Sequence, residues 1–138
     1  MSRENDQCVA AAVAEIVVEA CGESIKEVRD FVAEWFSAHE YASGLVYLAR
    51  TVVSELVTNA LKHACDPGDP ITARVLLSDA GPVIEVEDGS DDQPVVQALT
   101  LDETTGRGLA MVELMTLAWG VRPRGGGGKV VFAVLDVE

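Results

Sequence analysis

Between positions 43 and 64 the apolar residues recur with the period of an α-helix, and this segment constrains the fold more than any other. At about 100° per residue, Leu45, Ala49, Val52, Val53, Leu56 and Ala60 form one contiguous stripe. A stripe that wide has to be buried against a second layer of structure. Ser43 or Gly44 opens the segment, and Asp66-Pro67-Gly68-Asp69-Pro70 stops it, because prolines and glycine do not continue a helix. Glu55 and Asn59, one turn apart, lie along the margin of the stripe, with Lys62 and His63 a turn further on. Asn59 can offer a neutral oxygen to Mg²⁺, an ion that keeps most of its waters and takes other ligands from phosphates. Glu55 can accept a proton from an attacking hydroxyl or water. Taken on this helix alone, both are read equally well as solvated residues of an amphipathic helix.

The remaining segments supply the second layer. Residues 12–21 carry Val13, Ile16, Val17 and Val18 and are closed by Gly22, which predicts a strand. Ser24 reads as the N-cap of a helix, with Glu27 completing a capping box, and Ile25, Val28, Val32, Trp35 and Phe36 continue it to about Ala38. Residues 71–77 and 83–87 predict two strands joined by a hairpin turn at Asp79-Ala80-Gly81. A polar loop follows to Thr105. Gly106-Arg107-Gly108 opens a third helix containing Leu109, Val112, Leu114, Met115 and Leu117, which Gly120 is expected to end. Residues 121–124 and 129–137 complete the set as strands joined across Gly125 to Gly128. The natural packing is an α+β two-layer sandwich: a mainly antiparallel mixed sheet of about five strands with three helices on one face. Residues 1–11 are expected to be a tail, and 12–138 one domain.

Composition bounds the function. The chain has 138 residues, 49% of them hydrophobic, enough for one real core. No apolar run approaches the ~20 residues of a membrane span. No basic stretch followed by an apolar one opens the chain, so a cytoplasmic location is expected. A net charge of −13 repels phosphate backbones and argues against direct nucleic-acid binding. Cys8, Cys21 and Cys65 are odd in number and widely spaced, which predicts reduced thiols and not a disulfide or zinc framework.

Two further motifs carry chemistry. The strand Val83-Ile84-Glu85-Val86-Glu87 delivers Asp88-Gly89-Ser90 at its end. An aspartate there can accept a hydrogen bond from an exocyclic amine, although Asp-Gly-Ser alone is more often a turn. Gly106 and Gly108, at the start of a helix, can expose backbone N–H groups to a phosphate. The pattern is neither a Walker A loop nor a dinucleotide fingerprint.

In this order the motifs resemble those of the GHKL ATPases, the ATP domains of gyrase, a major heat-shock chaperone, histidine kinases and mismatch-repair proteins. ELVTNALKHA is similar to the N-box, VIEVEDGS to the G1 box and GRGLAMV to the G2 box. WGVRPRGGGGKVVFAV is similar to the closing hairpin of stand-alone anti-sigma factor serine/threonine kinases. The resemblance implies ATP and Mg²⁺ as cofactors, Glu55 as general base, Asn59 as metal ligand and Asp88 as the adenine contact. It implies that Gly106, Arg107, Gly108 and Leu109 face the phosphates and that residues 91–105 form a lid. Lys62, His63, Gly89, Ser90, Lys129 and Val130 complete the implied nucleotide site. Two positions depart from the family pattern. Ser90 stands where glycine is usual, and Val130 where related sequences carry a threonine whose hydroxyl assists the aspartate.

Three activities remain open at this stage. The first is a kinase that phosphorylates a STAS-type anti-anti-sigma partner and so controls a sigma factor, with homodimerisation implied by some of the proteins it resembles. The second is a nucleotide-binding partner-switching module with little or no phosphoryl transfer. The third is the catalytic domain of a histidine kinase, disfavoured because no helix bearing a phosphoacceptor histidine precedes the domain.

Overall fold

The computed structural model describes residues 13–63, 66–89, 112–113, 115–125 and 127–137. In chain order the elements are β1 (Ala14–Glu19), α1 (Glu23–Ala38), α2 (Ser43–His63), β2 (Pro70–Ser78), β3 (Gly81–Asp88), β4 (Ala118–Pro123) and β5 (Lys129–Val134). The strands form one sheet in the order β1-β2-β3-β5-β4, and every neighbouring pair is antiparallel. The expected sheet is therefore present, but among the described residues it has no parallel, mixed component.

Period-two alternation gives the sheet one apolar face. Ile71, Ala73 and Val75 of β2, Ile84 and Val86 of β3, and Val131 and Ala133 of β5 are all buried in a common core. Against them α1 sets Val28, Val32 and Phe36, and α2 sets its stripe from Leu45 through Ala60. Burying each of these larger side chains stabilises the fold by about 1.5–3 kcal/mol, so this layer contact holds the molecule together. Two helices are complete. Of the expected third, Val112, Glu113 and Met115 are described and helical, and Thr116 Oγ1 donates to the Val112 carbonyl at 2.8 Å.

Two boundaries differ from expectation. Ser24 does not cap α1: the cap position is Gly22, with no side-chain hydrogen bond, and Glu27 is exposed. The Ser24 hydroxyl is buried and donates to the Glu19 carbonyl, fastening the helix to β1 instead. Gly120 does not end a helix. It lies within β4 opposite Phe132, where a Cβ would meet the ring at 3.0 Å. The hairpin between β2 and β3 forms as expected, with Ser78 Oγ donating to the Gly81 carbonyl at 2.7 Å. Gly81 has φ 140, and any Cβ there would lie 2.5 Å from the Leu135 carbonyl oxygen, so glycine is required.

Among the described residues no helix is long and apolar enough to cross a membrane. Cys21 is a free, exposed thiol, while Cys8 and Cys65 lie outside the described residues.

Candidate functional site

The amphipathic stripe of α2 turns Asn59 inward. Its side chain is buried, and Oδ1 accepts no hydrogen bond among the described residues. A buried amide oxygen without a partner costs about 1–3 kcal/mol, and such an atom in a native fold calls for an explanation. A ligand that supplies a cation is one. Among the described residues no group of three or more His, Cys, Asp or Glu side chains could hold a metal. A single neutral oxygen suits an ion that is otherwise coordinated by phosphates and water, so the residues present fit Mg²⁺.

Glu55, one turn earlier, is half-buried and faces a different environment. It lines a cavity of about 260 Å³ together with Arg29, Tyr47, Arg50, Thr51 and Ser54, in the groove between α1 and α2. Asn59 is not part of that lining. Lys62 is exposed on the next turn, and the side chain of His63 lies outside the described residues.

At the end of β3, Asp88 is 1% exposed and stands directly opposite Lys129, itself 1% exposed. Lys129 Nζ donates to Asp88 Oδ1 at 3.1 Å. Alternation places both on the core face, in line with Val86 and Val131. Gly128, which leads into β5, has φ 99. A Cβ there would lie 2.5 Å from the Asp88 carbonyl oxygen and 3.0 Å from Gly89 Cα. The close approach of the two chains thus requires glycine and fixes Lys129 over the aspartate.

The same alternation corrects the reading of Val130. Its cross-strand partners are Glu87 and Arg122, on the face away from Asp88, so a hydroxyl there would not reach the aspartate. The residue that faces Asp88 is Lys129. Ser90, the segment 91–105, Gly106, Arg107, Gly108 and Leu109 lie outside the described residues. Gly89 is exposed, and a Cβ added there would meet nothing within 4 Å.

The opposite face of the sheet carries a charge ladder that the sequence reading missed. Arg74 bridges Glu15 at 3.2 Å, Glu85 at 3.3 Å and Glu87, while Arg122 reaches Glu85 at 2.7 Å. Arg124 completes it at 2.5 Å from Glu87. Burial pushes the Glu87 carboxyl up, but the hydrogen bonds and charges of Arg74 and Arg124 outweigh this and hold it below the usual carboxylate range. These groups face away from Asp88 and Asn59. They tie neighbouring strands of the sheet together.

An antiparallel sheet under a helix pair, an N-box helix with Asn59 turned inward and a strand ending in a buried aspartate define an ATP-binding domain of the GHKL type. The sequence matches the family of histidine kinase-like ATPase domains over residues 18–134, and the chain belongs to that family. No characterised protein sequence is significantly similar to it.

Proposed function

We propose that this domain is a regulatory serine/threonine kinase that phosphorylates a STAS-type anti-anti-sigma protein and thereby frees or captures a sigma factor. The observation that carries the proposal is the buried oxygen of Asn59, which has no hydrogen-bond partner among the described residues, on the same helix as Glu55. Asn59 would hold Mg²⁺, and the ion would neutralise charge on the ATP phosphates. Asp88 would accept a hydrogen bond from the adenine amine. Glu55 would take the proton of the partner's hydroxyl as its oxygen bonds to the γ-phosphorus and the bond to the β-phosphate oxygen breaks, releasing ADP. A cytoplasmic location and homodimerisation belong to the same proposal, as do a lid at residues 91–105 and phosphate contacts from Gly106 to Leu109.

One observation favours a second reading, a partner-switching module without phosphoryl transfer. Glu55 borders the Arg29 and Arg50 groove, and a carboxylate there can contact a protein partner as readily as a reacting hydroxyl. Incubation with γ-labelled ATP, Mg²⁺ and candidate STAS-type proteins separates the two. Label on a partner serine or threonine is expected. Nucleotide binding without label on any partner would favour the switching module, and absence of nucleotide binding would overturn both.

A further inference from the structure

Lys129 is among the largest fully buried side chains of the protein. Its ammonium makes one hydrogen bond among the described residues, the one to Asp88 Oδ1. An ammonium carries three N–H donors, so two have no acceptor among the described residues, at a depth where a charged donor short of acceptors is costly. The Oδ1 of buried Asn59, without a partner among the described residues, is a second group of the same kind. Groups left short in this way mark a place where a polar ligand belongs.

We propose that Lys129 and Asp88 together read the Watson–Crick edge of the bound adenine, Asp88 accepting from the N6 amine and Lys129 donating to ring N1. The assignment rests on the reading of Asp88 as the adenine contact and adds a second base-selecting residue to it. Adenine presents a donor beside an acceptor, and the pair presents an acceptor beside a donor. Guanine reverses the order: its O6 would face the carboxylate, and its N1–H would face the ammonium. The geometry sets the two groups side by side. They are direct cross-strand partners in the antiparallel register of β3 on β5, and Gly128 lets the two chains approach closely beside them. Val86 and Val131, next along the same face, are buried and make the surroundings of the pair apolar.

Calorimetric titration of the intact protein with ADP, GDP, purine riboside diphosphate and 1-deaza-ADP tests the assignment. Purine riboside diphosphate lacks the amine, and 1-deaza-ADP replaces N1 by C–H. ADP is expected to bind about tenfold or more tighter than each of the others, because a site built to bond a polar atom rejects an analogue without it. In Lys129→Met the preference for ADP over 1-deaza-ADP should vanish, while the preference over purine riboside diphosphate persists through Asp88. Equal binding of ADP and 1-deaza-ADP by the unsubstituted protein would overturn the assignment and leave Lys129 as a counter-ion only. That comparison needs no variant, so it stands even if Lys129→Met does not fold. Failure of all four nucleotides to bind would instead overturn the nucleotide-site reading itself, and this assignment with it.

Discussion

Glu55 and Asn59 are separated by one turn of α2, yet burial divides their roles. Asn59 is enclosed, with an oxygen that has no partner among the described residues, whereas Glu55 borders an open groove. Removing the amide should therefore act on binding. In Asn59→Ala the magnesium-dependent part of ATP affinity is expected to fall about tenfold, the scale of one lost ligand to a charged group. Titrations with and without Mg²⁺ measure it, and an unchanged difference between them would remove Asn59 from the metal site. Glu55→Gln keeps the size of the side chain but not its basicity. Nucleotide affinity should stay nearly intact while phosphoryl transfer drops by about 10²–10⁴-fold, since a base acts in the transition state. Single-turnover transfer at the unsubstituted rate would make Glu55 a partner-contact residue, in agreement with the switching module.

The elements depend on a few backbone positions that admit no substitution. Gly128→Ala must relieve both a left-handed backbone and a 2.5 Å clash with the Asp88 carbonyl, so it should destabilise the domain by about 2–3 kcal/mol. Gly125→Ala, in the same glycine run but with open space around it, should stay within about 0.5 kcal/mol. Denaturant midpoints of the two variants give the comparison, and equal losses would mean that the hairpin as a whole, and not the approach at Gly128, sets the requirement. These elements were legible in the sequence to different degrees. The α2 stripe and the β2–β3 hairpin were plain, because period and turn chemistry are local. Ser24 was misread because its hydroxyl chose a carbonyl on another element, a tertiary decision that no capping pattern records. Gly120 was misread because a glycine after an apolar run looks the same whether it ends a helix or sits under a cross-strand aromatic ring. Of the candidate site residues, Asp88 and Asn59 stand out in the sequence as motif positions. The pairing of Asp88 with Lys129 does not, since it is fixed by the register of β3 on β5, and a one-residue difference in register exchanges the faces of Lys129 and Val130.

At the scale of the whole molecule, 23 acidic residues face only 10 Lys and Arg, and the net charge is −13. Several of the basic residues are committed to the ladder on the open face of the sheet. Self-repulsion of the remaining carboxylates therefore opposes the compact state. Added salt screens charges at the surface most effectively, with a Debye length of about 10 Å at 0.1 M, and reaches partly buried pairs such as Arg74–Glu85 much less. Raising NaCl from about 20 to about 500 mM at neutral pH should accordingly increase the Tm, because more repulsion is screened than attraction. A lowered Tm would mean that the ladder outweighs the net charge. Acid works in two stages. Glu87 is held below the usual carboxylate range in the folded protein, so its contribution is complete above the ordinary glutamate value and disappears only as the pH falls through its lower folded value. Lowering the pH from about 7 to about 5 should thus relieve repulsion without loss of the ladder, and the salt effect should shrink. As the pH falls further, through the lowered folded value of Glu87, the Tm should drop as that carboxyl is protonated, and Glu87→Gln, already lacking that charge, should show a shallower drop from a lower starting point. Thermal melts of both proteins across this range decide the matter: parallel curves through the acid drop would show that the acid transition arises at other carboxylates.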